Sequence, residues 1–314
     1  MRSIIPFVHQ LEDSEAAQWC DALSEQLPEC DIRQFCQLNS DEKSGATVAV
    51  VANPSPGDVA QLPNLKWVHS VWAGVEGMLA SLAHMPFEIV RLIDPQLAQT
   101  MSEAVLAWVM YLHRDMPQYR QLQSASQWRQ LPYTDPGDRH IVLLGLGALG
   151  QKSALRLVDN GFRVSGWSRS AKHMESVRCY SGEQQLSELL SEADIIVSLL
   201  PLTRDTESLM DRQFFRQVKT GAALINFGRG ASVVDPDLLK ALDQGQLSHA
   251  VLDVFAQEPL PPESPLWSHP GITLLPHISA PTSIATASPI VAANIIRYLS
   301  QGIIPESVDK SRGY

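Results

Sequence analysis

The chain has 314 residues, which at about 150 per domain suggests two domains, each able to bury a core without disulfide or metal staples. Hydrophobic residues make up 45% of it and charged residues 18%, too much core material for a disordered chain and too little bias for a fibre. Lysine and arginine number 24 against 34 aspartate and glutamate, and a net charge of -10 argues against a nucleic-acid partner, whose phosphates an acidic surface repels.

The start Met1-Arg2-Ser3-Ile4-Ile5-Pro6-Phe7 shows neither a long apolar segment nor a small-residue cleavage site, and no later stretch reaches the roughly 20 apolar residues of a membrane span. A cytoplasmic protein without a membrane partner is expected. Cys20, Cys30, Cys36 and Cys179 form no C-x-x-C pair and have no histidines at zinc spacing, so they are read as reduced thiols and no metal is expected.

In chain order, β-rich runs at Ser3 to Val8, Ala46 to Val51, Leu65 to Ser70 and Glu88 to Leu92 alternate with helical patterns such as Ser14 to Leu27, which predicts a parallel sheet. Met101, Val105, Trp108, Val109 and Leu112 then repeat at helical spacing, and the polar stretch Met116 to Arg139 reads as the crossing into a second domain. Beyond it come strand His140 to Leu144, helix Leu149 to Asn160 and strand Arg163 to Trp167, one βαβ unit. Strands follow at Asp194 to Leu199, Ala222 to Asn226, Ala250 to Val254 and Ile272 to Leu275, with a helix at Pro236 to Gln244. The last helix, about Ser283 to Ser300, fits neither alternation and is expected to return to the first domain. The predicted division is 1–100 with 283–314 against 101–282.

Gly145-Leu146-Gly147-Ala148-Leu149-Gly150 follows a predicted strand and opens a predicted helix, the context in which G-x-G-x-x-G marks a dinucleotide pyrophosphate site. An NAD-specific site would carry Asp or Glu at the end of the next strand. This chain has Ser168, Arg169 and Ser170 there, a guanidinium flanked by hydroxyls that suits a 2′-phosphate, so NADP(H) is predicted over NAD(H).

Three further segments place an ionisable residue at a predicted strand end: Asn226-Phe-Gly-Arg229-Gly230, Asp253-Val-Phe-Ala-Gln-Glu258-Pro259-Leu260-Pro261, and Pro276-His277-Ile-Ser279-Ala280. With Trp72-Ala-Gly-Val-Glu76, Ser102-Glu103-Ala-Val-Leu and Leu200-Pro-Leu-Thr-Arg-Asp-Thr206, the chain resembles the D-isomer-specific 2-hydroxyacid dehydrogenase family along most of its length.

The resemblance implies two doubly wound parallel α/β domains, a Rossmann nucleotide-binding domain inserted into a flavodoxin-like substrate domain. It implies that Arg229 clamps the substrate carboxylate and 2-oxo oxygen, that His277 is the general acid, and that Glu258 bonds the imidazole and raises its pKa. Trp72, Ala73, Gly74 and Val75 would form the substrate loop. Gly145, Gly147, Ala148, Leu149, Gly150, Ser168, Arg169, Ser170, Leu200, Pro201, Thr206, Phe227, Gly228, Asp253 and Ser279 would face the cofactor, Asp253 through the nicotinamide carboxamide. Trp72 stands where glycine is usual in the family and Glu76 where Asp is common, which raises a choice for Trp72 between narrowing the substrate pocket and packing as a structural residue.

The implied activity is NADPH-dependent reduction of a small anionic 2-oxo acid, glyoxylate or hydroxypyruvate, in a homodimer, with the apolar helix around Trp108 serving either as the dimer contact or as an intrachain core. A dehydrogenase for a bulkier or phosphorylated substrate and a dinucleotide-sensing binding protein are the alternatives.

Overall fold

The computed structural model of the chain describes residues 2–310. It divides into two compact units: the chain up to Gln96 together with the chain from Thr282 forms one, and Leu97–Pro281 the other. The long helix Pro95–His113 begins at this division, so the stretch Met116 to Arg139 lies wholly within the second unit. That corrects the expectation of a crossing there; the polar stretch also carries a helix of its own, Met116–Ser124.

The first unit holds β1 (Ser3–His9), β2 (Cys30–Gln34), β3 (Val48–Ala52), β4 (Trp67–Ser70) and β5 (Glu88–Val90). They form a parallel sheet in the order β2-β1-β3-β4-β5, the flavodoxin-like arrangement. Period-two alternation supplies both faces with apolar residues. Ile5, Phe7, Val48 and Val50 face one core with Trp19 and the last helix, Ile284–Gln301, while Val8, Ala49, Val51 and Val68 face another with Leu62 and Leu82. β2 was missed from the sequence because Cys-Asp-Ile-Arg-Gln is too polar for a buried-strand signal, as befits an edge strand.

The second unit holds β6 (His140–Leu144), β7 (Arg163–Trp167), β8 (Arg178–Tyr180), β9 (Ile195–Ser198), β10 (Ala222–Asn226), β11 (Leu247–Leu252) and β12 (Ile272–Leu274). Their order, β12-β11-β10-β9-β6-β7-β8, is the Rossmann order with one strand added, and the listing reverses between β6 and β9. Val142, Leu144, Ile196, Leu224 and Leu252 point to one core; Ile141, Leu143, Val197, Ile225 and Val251 point to the other. That second core also takes Met101, Val105, Val109 and Leu112, with Trp108 and Tyr111 packed against it. The apolar face of the helix around Trp108 thus packs in part on the core of its own unit, with Leu106, Trp108 and Met110 half-buried. Large exposed apolar side chains also lie on the segment that follows, at Met116, Tyr119, Trp128 and Tyr133. Among the described residues no helix is long and apolar enough to cross a membrane, and no cluster of ligand-type side chains could hold a metal ion.

Candidate active site

Parallel strands deliver the residues that follow them to one sheet edge, the carboxyl edge, where ligands bind in open α/β sheets. Arg229 follows β10, Glu258 follows β11 and His277 follows β12, and these three strands are neighbours in the order β12-β11-β10. His277 Nδ1 lies 2.8 Å from Glu258 Oε2, and the other oxygen of that carboxylate accepts the N–H of Phe255 at 2.9 Å. With both oxygens engaged, Glu258 fixes the orientation of the ring: Nδ1–H donates to it, and Nε2 is the nitrogen left to exchange a proton. The His277 side chain is 57% exposed, so that nitrogen can be reached.

Arg229 sits in a turn built by Asn226, a buried side chain that accepts the N–H of Gly228 at 3.2 Å and donates to the carbonyl of Arg229 at 3.1 Å. Ser232 Oγ donates to the same carbonyl at 2.6 Å. The half-buried guanidinium donates through Nη1 to Gly228 O at 2.7 Å. A Cβ at Gly230 would collide with the backbone of Phe255, so the turn carrying Arg229 lies hard against the turn whose N–H anchors Glu258. Asn226 and Phe255 were not singled out from sequence; the signal for Asn226 was its residue type, since an asparagine side chain readily accepts the N–H two residues on, whereas Phe255 carries none.

Asp253 directly follows β11. It is 2% exposed, and its two oxygens accept the N–H groups of Ile278 (2.7 Å) and Ser279 (2.9 Å), while its carbonyl accepts that of His277 (3.0 Å). Three successive amides of the histidine loop thus converge on one residue, and His277 is held at φ +55°, where a non-glycine residue is uncommon. Asp253 therefore shapes the loop that carries His277.

On the other side of the sheet's midpoint, Gly145 takes φ +104°, and a Cβ there would stand 2.9 Å from Leu199 O. Gly150 lies so close to Gly145 O that no side chain fits between turn and helix. Gly147, which precedes the helix Ala148–Asp159, faces open space, and no side chain caps that helix start. Ala148 and Leu149 thus begin a helix whose first N–H groups are left for an anion.

Ser168 follows β7; its hydroxyl donates to Ser170 O at 2.8 Å, so it fixes the turn that presents Arg169. Arg169 Nη1 lies 3.8 Å from Asp205 Oδ2. Thr206 is likewise turned inward, donating to Pro201 O at 2.6 Å, and Leu200 and Phe227 are buried in the two cores. Gly228 presses on the backbone of Leu200. Two buried hydroxyls, Ser198 at the end of β9 and Ser279, have no hydrogen-bond partner among the described residues. Open space at Gly147, an uncapped helix start and orphaned hydroxyls at the carboxyl edge fit a dinucleotide. Ser198 was missed from sequence, its only signal being a hydroxyl that ends the apolar run Ile195-Ile-Val.

In the first unit, Trp72, Ala73 and Gly74 lead from β4 toward the helix Glu76–Leu82, with Val75 buried at its start. The Trp72 ring meets Trp19 edge-on at 6.4 Å and packs on that unit's core. Its backbone is tied down as well: Trp72 N–H donates to Ser70 Oγ at 3.0 Å, and its carbonyl accepts from Leu92 at 3.1 Å. His69 beneath it is fully buried, with Nδ1 at Ser70 O (2.8 Å) and Nε2 at Asn294 Nδ2 (2.9 Å), and burial lowers its pKa to about 4.

Comparison with known proteins agrees with this geometry. Residues 106–279 match the model of the D-isomer specific 2-hydroxyacid dehydrogenase NAD binding domain. The glyoxylate/hydroxypyruvate reductase A of Serratia proteamaculans (strain 568) is 37% identical over 317 residues, covering 99% of each chain. A D-isomer specific 2-hydroxyacid dehydrogenase from Xanthobacter autotrophicus Py2, solved with NADPH and MES, superposes with a TM-score of 0.92 at 33% identity over 100% of both chains. The NADPH-dependent glyoxylate/hydroxypyruvate reductase of Sinorhizobium meliloti, solved with NADP and sulfate, gives 0.90 at 32% identity over 99% of this chain and 100% of that one. A Rossmann unit with an Arg, Glu and His set at its carboxyl edge and full-length relatives of one kind lead to one conclusion: the chain belongs to the D-isomer-specific 2-hydroxyacid dehydrogenases, an oxidoreductase family.

Proposed function

We propose that the protein is an NADP(H)-dependent reductase of small 2-oxo acids, turning glyoxylate into glycolate and hydroxypyruvate into D-glycerate. The observation that carries this reading is the 2.8 Å contact between His277 and Glu258, on strands next to the one that presents Arg229. The Gly145–Gly150 turn and the start of the helix Ala148–Asp159 would hold the pyrophosphate, and Arg169 the 2′-phosphate. When bound, the reduced dinucleotide supplies a hydride to the 2-oxo carbon.

Arg229 clamps the substrate carboxylate and polarises the 2-oxo oxygen with a planar fork. His277, with Nδ1 held by Glu258, gives the proton on Nε2 to that oxygen as negative charge develops there, and takes it back in the oxidative direction. The backbone of Ala73, Gly74 and Val75 is assigned to the substrate carboxylate. We also assign the working form to a cytoplasmic homodimer joined through the segment bearing Met116, Tyr119, Trp128 and Tyr133.

kcat/KM measured for glyoxylate, hydroxypyruvate and a bulky 2-oxo acid, each with NADPH and NADH, tests the reading. It expects the small acids and NADPH to win. Preference for NADH or for the bulky acid overturns the corresponding part, and tight cofactor binding without turnover favours a dinucleotide sensor.

A further inference from the structure

The strand order β9-β6-β7 places the ends of β7 and β9 on either side of β6. A contact between the loops leaving β7 and β9 therefore straddles the Gly145–Gly150 turn that leaves β6. Arg169 and Asp205 make such a contact, Nη1 to Oδ2 at 3.8 Å. The loop that carries Asp205 is knotted from within. Thr206, 8% exposed, donates its hydroxyl to Pro201 O at 2.6 Å and accepts the N–H of Thr203 at 2.8 Å, while the N–H groups of Thr206 and Glu207 both donate to Thr203 O. Asp205 is thus held near the guanidinium by a defined turn. The two side chains are 46% and 74% exposed, so their attraction does little for folding, and its consequence lies in what else the arginine can bind.

We propose that Asp205 is a specificity-determining residue, a carboxylate that competes with a 2′-phosphate for Arg169 and so tempers the preference for NADP(H). This rests on the reading of Arg169 as the 2′-phosphate residue. A phosphate brought to that guanidinium must displace the carboxylate or lie beside it. Repulsion between a carboxylate and a dianion about 6 Å apart in solvent weakens binding by a factor of several, and added salt screens it. The uncharged 2′-hydroxyl of NAD(H) feels none of this. The burden falls on one cofactor alone, and it falls where the chain has no acidic residue at the end of β7 to do the discriminating.

The test is a titration of the purified full chain with NADPH and with NADH, followed by nicotinamide fluorescence, without substrate and at low and high salt. Asp205→Asn is expected to tighten NADPH about three- to tenfold at low salt, less at high salt, and to change NADH less than about twofold. No tightening, or equal tightening of both cofactors, overturns the proposal. Arg169→Ala separates it from the reading beneath it. If that variant leaves NADPH affinity unchanged, the 2′-phosphate assignment fails and the proposal with it. If it weakens NADPH alone while Asp205→Asn does nothing, the assignment stands and the role of Asp205 is refuted.

Discussion

Two histidines of the seven-stranded sheet show how one residue type is put to opposite uses at the two strand edges. His277 lies past β12 at the carboxyl edge, more than half exposed and paired with a carboxylate. His249 lies near the start of β11 at the amino edge, 4% exposed, with Nε2 at Thr273 Oγ1 (2.9 Å) and Nδ1 without a partner among the described residues. It borders a small polar cavity with Asp115, Gln118, Arg139 and Asp194. Burial, helped by the nearby His269, lowers its pKa to about 4, so it stays neutral near pH 7, whereas His277 is the residue proposed to trade a proton. Chain direction decides this: at the carboxyl edge the chain leaves the sheet in loops that can present a side chain, whereas His249 is part of a paired strand.

The contrast breaks most visibly if His277→Ala retains activity. A fall in kcat of about a thousandfold is expected, against less than twofold for His249→Gln under the same assay. Arg229→Ala is expected to lower kcat/KM by roughly a hundred- to a thousandfold, with Arg229→Lys recovering little because a point charge cannot replace the fork.

Acid unfolding probes the buried partner. A histidine whose folded pKa is depressed stabilises the fold fully above its ordinary value of 6.5 and loses that contribution as pH falls from 6.5 through about 4, because the unfolded chain takes up the proton first. For His249 the loss amounts to at most about 3 kcal/mol, and chemical denaturation of His249→Gln across that window should show a flatter pH dependence than the parent. His69 in the first unit adds a loss of the same sign over the same window. Smallest is the effect of Asp253→Asn. An amide can accept one of the two loop N–H groups but turns a donor on the other, so kcat should fall roughly tenfold while NADPH affinity, read by fluorescence, stays within twofold. An equal loss of cofactor affinity would favour the nicotinamide contact expected from the family.

Much of the fold was legible because its signals are local. β6 and β10 begin and end where their apolar runs do, since buried parallel strands are continuous apolar runs bounded by polar residues, and β7 was placed by its position after the glycine turn and helix of a βαβ unit. Short or polar edge strands gave no such run, which is why β2 and β8 went unseen. In the candidate site, Gly145, Arg229, Glu258 and His277 stand out in the sequence because turn geometry and charge mark those residue types. The neighbours that aim them were not.

Sequence by itself determined the two alternating α/β units, the glycine turn after β6 and the identity of the ionisable residues at the strand ends, because period, turn chemistry and charge are written residue by residue. Tertiary structure alone decided that Asp253 turns inward to three amides, that Trp72 leans on Trp19, that Asp205 reaches Arg169 across β6, and that β10, β11 and β12 stand side by side. Those relations depend on strand order and on which buried polar groups find each other, and residues far apart in the chain meet only after the sheet has formed.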